Sequence, residues 1–181
     1  MNFTTLNARS GFLLIIFLTL FISCSTVTPE KYFQIAVLNS NLFAGFAGSG
    51  QLRELESPSV KLGTDNVSTE TMKRLEILEF KTKAIEESYG DLKKLKKTDD
   101  NKEMIEASKN LYEFIMPVYK SEYVKLAEMY DNNAPKEQIE SFAASISSKY
   151  HPRFKELYDE LIKAGKQYAG KHSIKVNWGN L

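Results

Sequence analysis

Apolar and polar positions along this chain fall into one long apolar run near the start, then four stretches with a helical period. The run is Gly11 to Ile22, GFLLIIFLTLFI, interrupted only by Thr19. As a helix, its twelve residues span roughly 18 Å, short against the ~30 Å of a bilayer core.

Helix A is predicted from Thr28-Pro29-Glu30: a capping threonine, a proline in the first turn and an acid beside it. Tyr32, Phe33, Ala36, Val37, Ser40 and Phe43 share its face, which is expected to reach about Ala44. Gly45, Gly48 and Gly50 weaken the helical pattern. Residues 51–67 read as a long connection with a short helical turn at Gln51–Glu56. Helix B is expected to start at Ser68, as cap, with Val67 and Met72 as a hydrophobic staple. Leu75, Leu78, Thr82, Ile85, Tyr89 and Leu92 follow the 3,4 spacing of a packed seam, with Ile77 and Phe80 widening it. Lys93, Lys94, Lys96 and Lys97 complement the helix end.

Asp100 and Glu103 form a capping-box pattern that opens helix C. Met104, Ser108, Leu111, Ile115, Tyr119, then Glu122 or Tyr123, Leu126 and Tyr130 line its face, and Asp131-Asn132-Asn133 end it. Pro135 opens helix D, whose apolar face is Ile139, Phe142, Ile146, Tyr150, Phe154, Leu157, Leu161, Gly165 and Tyr168. The tail, with Val176 and Trp178, is expected to pack back. Short B–C and C–D links make antiparallel neighbours. The predicted fold is all-α, an antiparallel four-helix bundle, with no stretch of β period to compete.

Pro117 lies inside helix C and Pro152 inside helix D, and each removes a backbone hydrogen bond. Counted from the C–D turn, both stand at about 22–26 Å, so helices C and D are expected to bend at the same level. Tyr112, Met116, Tyr119, Tyr123, Tyr150 and His151 surround that level. A pocket between two bowed helices is one reading of them. A filled core with tyrosine hydroxyls at its rim is the other.

The apolar run carries the address. Only Arg9 is charged among the first 23 residues, the layout of a secretory leader. Phe21-Ile22-Ser23-Cys24 resembles a bacterial lipobox, although Phe21 stands where leucine is usual. That resemblance implies removal of residues 1–23, lipidation of Cys24, a tether over residues 24–28 and a helical domain over residues 29–181. Each buried methylene contributes about 0.8 kcal/mol, so two or more acyl chains anchor stably. Ser25 is not the aspartate of the inner-membrane retention pattern, which implies the outer membrane of a Gram-negative bacterium.

Composition narrows the rest. With 24 basic and 23 acidic residues overall, removing Arg9 leaves a neutral chain. No general attraction to nucleic acid follows from it. A single cysteine excludes an intrachain disulfide and a cysteine zinc cluster. The two histidines, His151 and His172, lack the Glu-x-x-His context of di-iron bundles, so no metal or other cofactor is expected. There is no nucleophile elbow and no phosphate loop after a strand, and no catalytic residue is assigned. Glu113 and Glu122 fit solvated faces or hydrogen bonds between helices.

Three segments carry a resemblance: Leu111-Tyr112-Glu113-Phe114, Glu122-Tyr123-Val124-Lys125-Leu126, and Gln167-Tyr168-Ala169-Gly170-Lys171-His172-Ser173-Ile174. The stretch of residues 105–175 resembles uncharacterised small bacterial lipoproteins built as helical bundles, which lack the interior prolines. The resemblance covers under half of the chain and implies fold and export only.

The functional expectation is a non-enzymatic, lipid-anchored envelope protein. Its partners would be the membrane, through the anchor, and another envelope protein. An apolar contact patch is expected around Phe46, Leu52 and Leu55, or at Trp178. The alternative is a bundle that binds a small molecule or lipid between helices C and D.

Overall fold

In a computed structural model the described residues are 27–178. The expected leader and Cys24 therefore lie outside them. The chain is mostly helical. In order come α1 (Pro29–Ala36), a 3-10 turn (Leu38–Phe43), α2 (Ser49–Glu56), β1 (Val60–Leu62) and β2 (Thr69–Thr71). Then follow α3 (Arg74–Lys94), α4 (Lys102–Val118), a π-helical turn (Tyr119–Tyr123), α5 (Val124–Asp131) and α6 (Lys136–Lys171).

The predicted start of helix A is present. Thr28 Oγ1 accepts from the Lys31 N–H at 3.3 Å, with Pro29 in the first turn. The α-helix ends at Ala36, however, and continues as the tighter 3-10 turn, which carries Phe43 into the core.

The expectation of no strand is corrected. β1 and β2 pair antiparallel, with Val60 opposite Thr71, Lys61 opposite Glu70 and Leu62 opposite Thr69. Ser68 belongs to this hairpin and does not cap a helix. Asp65 Oδ1 accepts from the N–H groups of Val67 and Ser68 at 2.9 and 2.8 Å and from the Ser68 hydroxyl at 2.9 Å. An aspartate that gathers the donors two and three residues ahead stabilises a turn in competition with a helix start. Val67 is exposed, so the predicted staple is not made. The helix begins instead at Arg74, where Asp131 of α5 receives the first N–H groups.

A second predicted cap is also replaced. Asn101, not Asp100, precedes α4. Its side chain accepts from the Thr98 N–H at 2.8 Å and donates to the Lys96 carbonyl at 3.1 Å. Asp100 turns to the far end of the chain and pairs with Lys171 and His172.

The seams themselves hold. Leu78, Ile85 and Leu92 of α3 are buried, as are Met104, Leu111 and Ile115 of α4. Leu126 of α5 and Ile139, Ile146, Leu157 and Leu161 of α6 are buried with them. α4 packs along α6, and α3 packs on α4 and α5. Burial of this apolar area at ~25 cal/mol per Å² is the main force holding these elements together. Phe80, expected on the seam, is instead 63% exposed. The tail returns as expected: Trp178 meets Phe33 edge to face at 5.7 Å.

The two prolines act differently. After Pro117 the helix widens into the π turn, and the Tyr119 N–H is shared between the carbonyls of Ile115 and Met116. The Ser121 hydroxyl donates to the Pro117 carbonyl at 2.8 Å. α6 runs uninterrupted through Pro152, leaving the Ser148 carbonyl without its usual donor.

Candidate functional site

Around Pro117 the structure brings together most of the residues singled out for a pocket, and fills the space between them. Tyr112, Tyr119 and Tyr123 are buried, and Met116 and Tyr150 pack partly buried against the core. The π turn places Tyr119 and Tyr123 on one inward face, with ring centroids 5.0 Å apart. His151 is exposed and stands outside the cluster.

The filling residue is Phe46, from the link between the 3-10 turn and α2. It is 1% exposed, and its ring lies 5.6 Å from Tyr119, 5.8 Å from Tyr123 and 4.9 Å from Phe154. The expectation that Phe46 and Leu55 form an exposed patch is therefore corrected, since both are buried. Large aromatic rings bury more area than any other side chains, so a phenylalanine beside an aromatic cavity enters it.

Every hydroxyl in this aromatic cluster has a partner. Tyr112 shares a 2.7 Å hydrogen bond with Ser88, which also accepts from Asn39 at 2.9 Å. Tyr119 donates to Gln51 Oε1 at 3.1 Å, and the same oxygen accepts from Lys81 at 2.7 Å. Tyr123 accepts from the Ala47 N–H at 2.8 Å, and Tyr150 donates to Glu122 at 3.0 Å. Burial pushes the Tyr112 and Tyr123 hydroxyls up to about 12, and Tyr119 well above the usual tyrosine value. Neutral, hydrogen-bonded tyrosines of this kind specify a core. Ser108 Oγ is buried without a partner among the described residues.

The free space lies one layer outward. A cleft of about 380 Å³ opens between residues 44–50 and the middle of α6. Phe46, Phe154 and Tyr158 line it, and His151, Lys155 and Asp159 also border it. Lys155 donates to Asp159 at 2.6 Å. On the opposite side are Gly45, Gly48, Ser49 and Gly50. Gly45 has φ +84°, and a Cβ there would stand 2.9 Å from Gly50 Cα. Only glycine permits that backbone-on-backbone approach, which forms the wall. His151 is the one pocket residue predicted from sequence that borders this cleft. The glycine cluster was the sequence signal for it. Its spacing marked a break in helix A, but nothing local linked it to α6, about a hundred residues later.

Among the described residues, no group of three or more histidines, cysteines or acids is placed to hold a metal ion. Among them, too, no helix is long and apolar enough to cross a membrane. Comparison of the chain with protein-family models, with curated proteins and with solved structures gave no match.

Proposed function

We propose that this chain is a non-enzymatic, lipid-anchored protein of the cell envelope that contacts another envelope protein through exposed apolar residues. In this reading residues 1–23 are removed, Cys24 is acylated and the outer membrane of a Gram-negative bacterium holds the anchor. The domain behind it is an antiparallel four-helix bundle of the kind found in the small lipoproteins it resembles. Residues 102–131 act as a single long helix, and bends at Pro117 and Pro152 let it and α6 wrap the aromatic core.

The observation that carries the contact is the exposure of Val60, Leu62, Val67 and Phe80. Val60 and Leu62 lie on one face of a two-stranded hairpin. Exposed apolar residues beside unpaired strand edges favour association.

Mass spectrometry of the native protein tests the anchor: an acylated Cys24 is expected, and an intact leader or a free thiol would overturn it. Cross-linking from membranes tests the contact. The natural chain should give a discrete adduct that the double variant Val60→Thr, Leu62→Thr loses. Identical adducts from both would overturn a role for the hairpin.

A second reading, a small-molecule binder, is favoured by the cleft of about 380 Å³ beside the aromatic core.

A further inference from the structure

We propose that the outward face of α1 and the 3-10 turn lies on the lipid surface that holds the anchor. This deepens the proposed function and rests on its acylated Cys24. Apart from Phe80, the exposed large apolar residues fall in two places. Val60, Leu62 and Val67 belong to the hairpin segment. Val27, Leu38 and Leu42 belong to residues 27–42, at 44%, 41% and 37% exposure. Lys61 of the hairpin pairs with Glu76 in the first turn of α3 at 2.8 Å. Asn39 of the 3-10 turn donates to Ser88, about 18 Å further along that helix, so the two patches are separate.

The inward side of residues 27–42 ends in the core through Phe33, Ala36, Val37 and Ser40, all buried. Lys31, Gln34, Leu38, Asn41 and Leu42 recur at helical spacing on the other side, and all are exposed. An outward helical face is ordinarily charged. Here no Asp, Glu, Lys or Arg occurs from Tyr32 to Leu52, although those residues make up 26% of the chain. Glu30 and Lys31 are the only charges between Arg9 and Arg53, and their signs cancel. Ionised groups carry the large cost of leaving water, so a face without them loses little against a bilayer, and each leucine gains there.

The length of chain leading to α1 points to the occupant. Four residues separate Pro29 from Cys24, and that span extends to at most ~18 Å. The acyl chains therefore hold α1 beside the bilayer. Such proximity raises the effective concentration of the lipid surface far above that of a soluble partner. A face of this kind lies at the boundary of headgroups and acyl chains, with apolar side chains dipping inward. Lys31, whose amine donates to Gln34 at 3.1 Å, has a stem long enough to meet a lipid phosphate from there. The hairpin stays available for the protein contact.

The test places the full chain, in its natural form from membranes, in phosphatidylcholine nanodiscs that include a phospholipid with a photoactivatable diazirine near its headgroup. Peptide mass spectrometry maps the adducts. They should be at least about fivefold more frequent in residues 27–42 than in hairpin residues 60–71, and the double variant Leu38→Ser, Leu42→Ser should lower them about fivefold. Both leucines are more than a third exposed, so the variant leaves the core in place. A long flexible Gly-Ser insertion between Thr26 and Val27 should preserve the adducts of the natural face and abolish those of the variant. Adding phosphatidylglycerol should change neither.

Equal labelling of the face and the hairpin, or labelling that the variant retains, would overturn the proposal. Loss of labelling from the natural face on insertion would overturn it too, by showing that the tether alone brings the face near. Labelling that requires phosphatidylglycerol would overturn the uncharged face as its cause. The same spectra report on Cys24. An acylated cysteine with an unlabelled face would overturn this inference alone, whereas an unmodified cysteine would overturn the anchor and the inference together.

Discussion

Asp131 closes the helix that begins at Arg74: its Oδ1 accepts the Arg74 N–H at 2.9 Å and its Oδ2 the Leu75 N–H at 3.1 Å. The Arg74 guanidinium stands 3.7 Å from the same carboxylate. A cap supplied by the C-terminal end of α5 ties two elements together as well as satisfying orphan donors. Asp131→Ala should cost about 1–2 kcal/mol of stability, and Asp131→Asn less, because the amide oxygen still accepts. Urea unfolding of the two variants checks this. Equal stability of Asp131→Ala and the natural chain would show the cap to be idle.

Phe46 bears on more elements than its place in a link suggests. Its ring touches residues of α4, the π turn and α6. Phe46→Ala should cost about 3–5 kcal/mol, the range for removing a buried aromatic side chain. The same change should raise amide exchange in residues 44–50 more than in α3. Uniform exchange across the domain would mean that Phe46 does not hold the link in place.

The buried tyrosines set an alkaline limit. Tyr112 and Tyr123 hold their protons to about 12 in the fold, against an ordinary value of 10.0. Below pH 10 both states are protonated and the full stability is present. As the pH rises from 10 to about 12, the unfolded chain releases protons that the folded one retains, so stability falls. Tyrosinate absorbance and loss of helical circular dichroism should therefore rise together in that window. Tyrosinate forming fully while the helices persist would contradict it.

At the acid end the Asp100 contact should loosen. Lys171 and then His172 hold its carboxyl below the usual aspartate value of 3.8. Its contribution is present above that value and is lost as pH falls through the lower value in the fold. Because the group is only half-buried, the effect should be local: faster amide exchange at Lys171–Ile174, mimicked at neutral pH by Asp100→Asn. Exchange that does not respond to either change would remove Asp100 from the closure.

The long helices were readable because each buries one stripe. Leu78, Ile85 and Leu92, or Leu111, Ile115 and Tyr119, repeat at a spacing that only a helix turns to one side. The hairpin was not readable because three exposed residues per strand carry too little alternation to stand out. The caps of α3 and α4 were misassigned for a different reason. Ser68 and Asp100 have the right chemistry locally, but Asp65 and Lys171 with His172 engage them first. As for the candidate site, the tyrosines were found by their spacing. The cleft was not, because its walls are joined by contacts of Phe46 that no local pattern encodes.

Trp178 resting on Phe33 brings the last described residues beside the first helix. Trp178 is the one tryptophan of the chain, so its emission should report whether the tail stays docked on that helix.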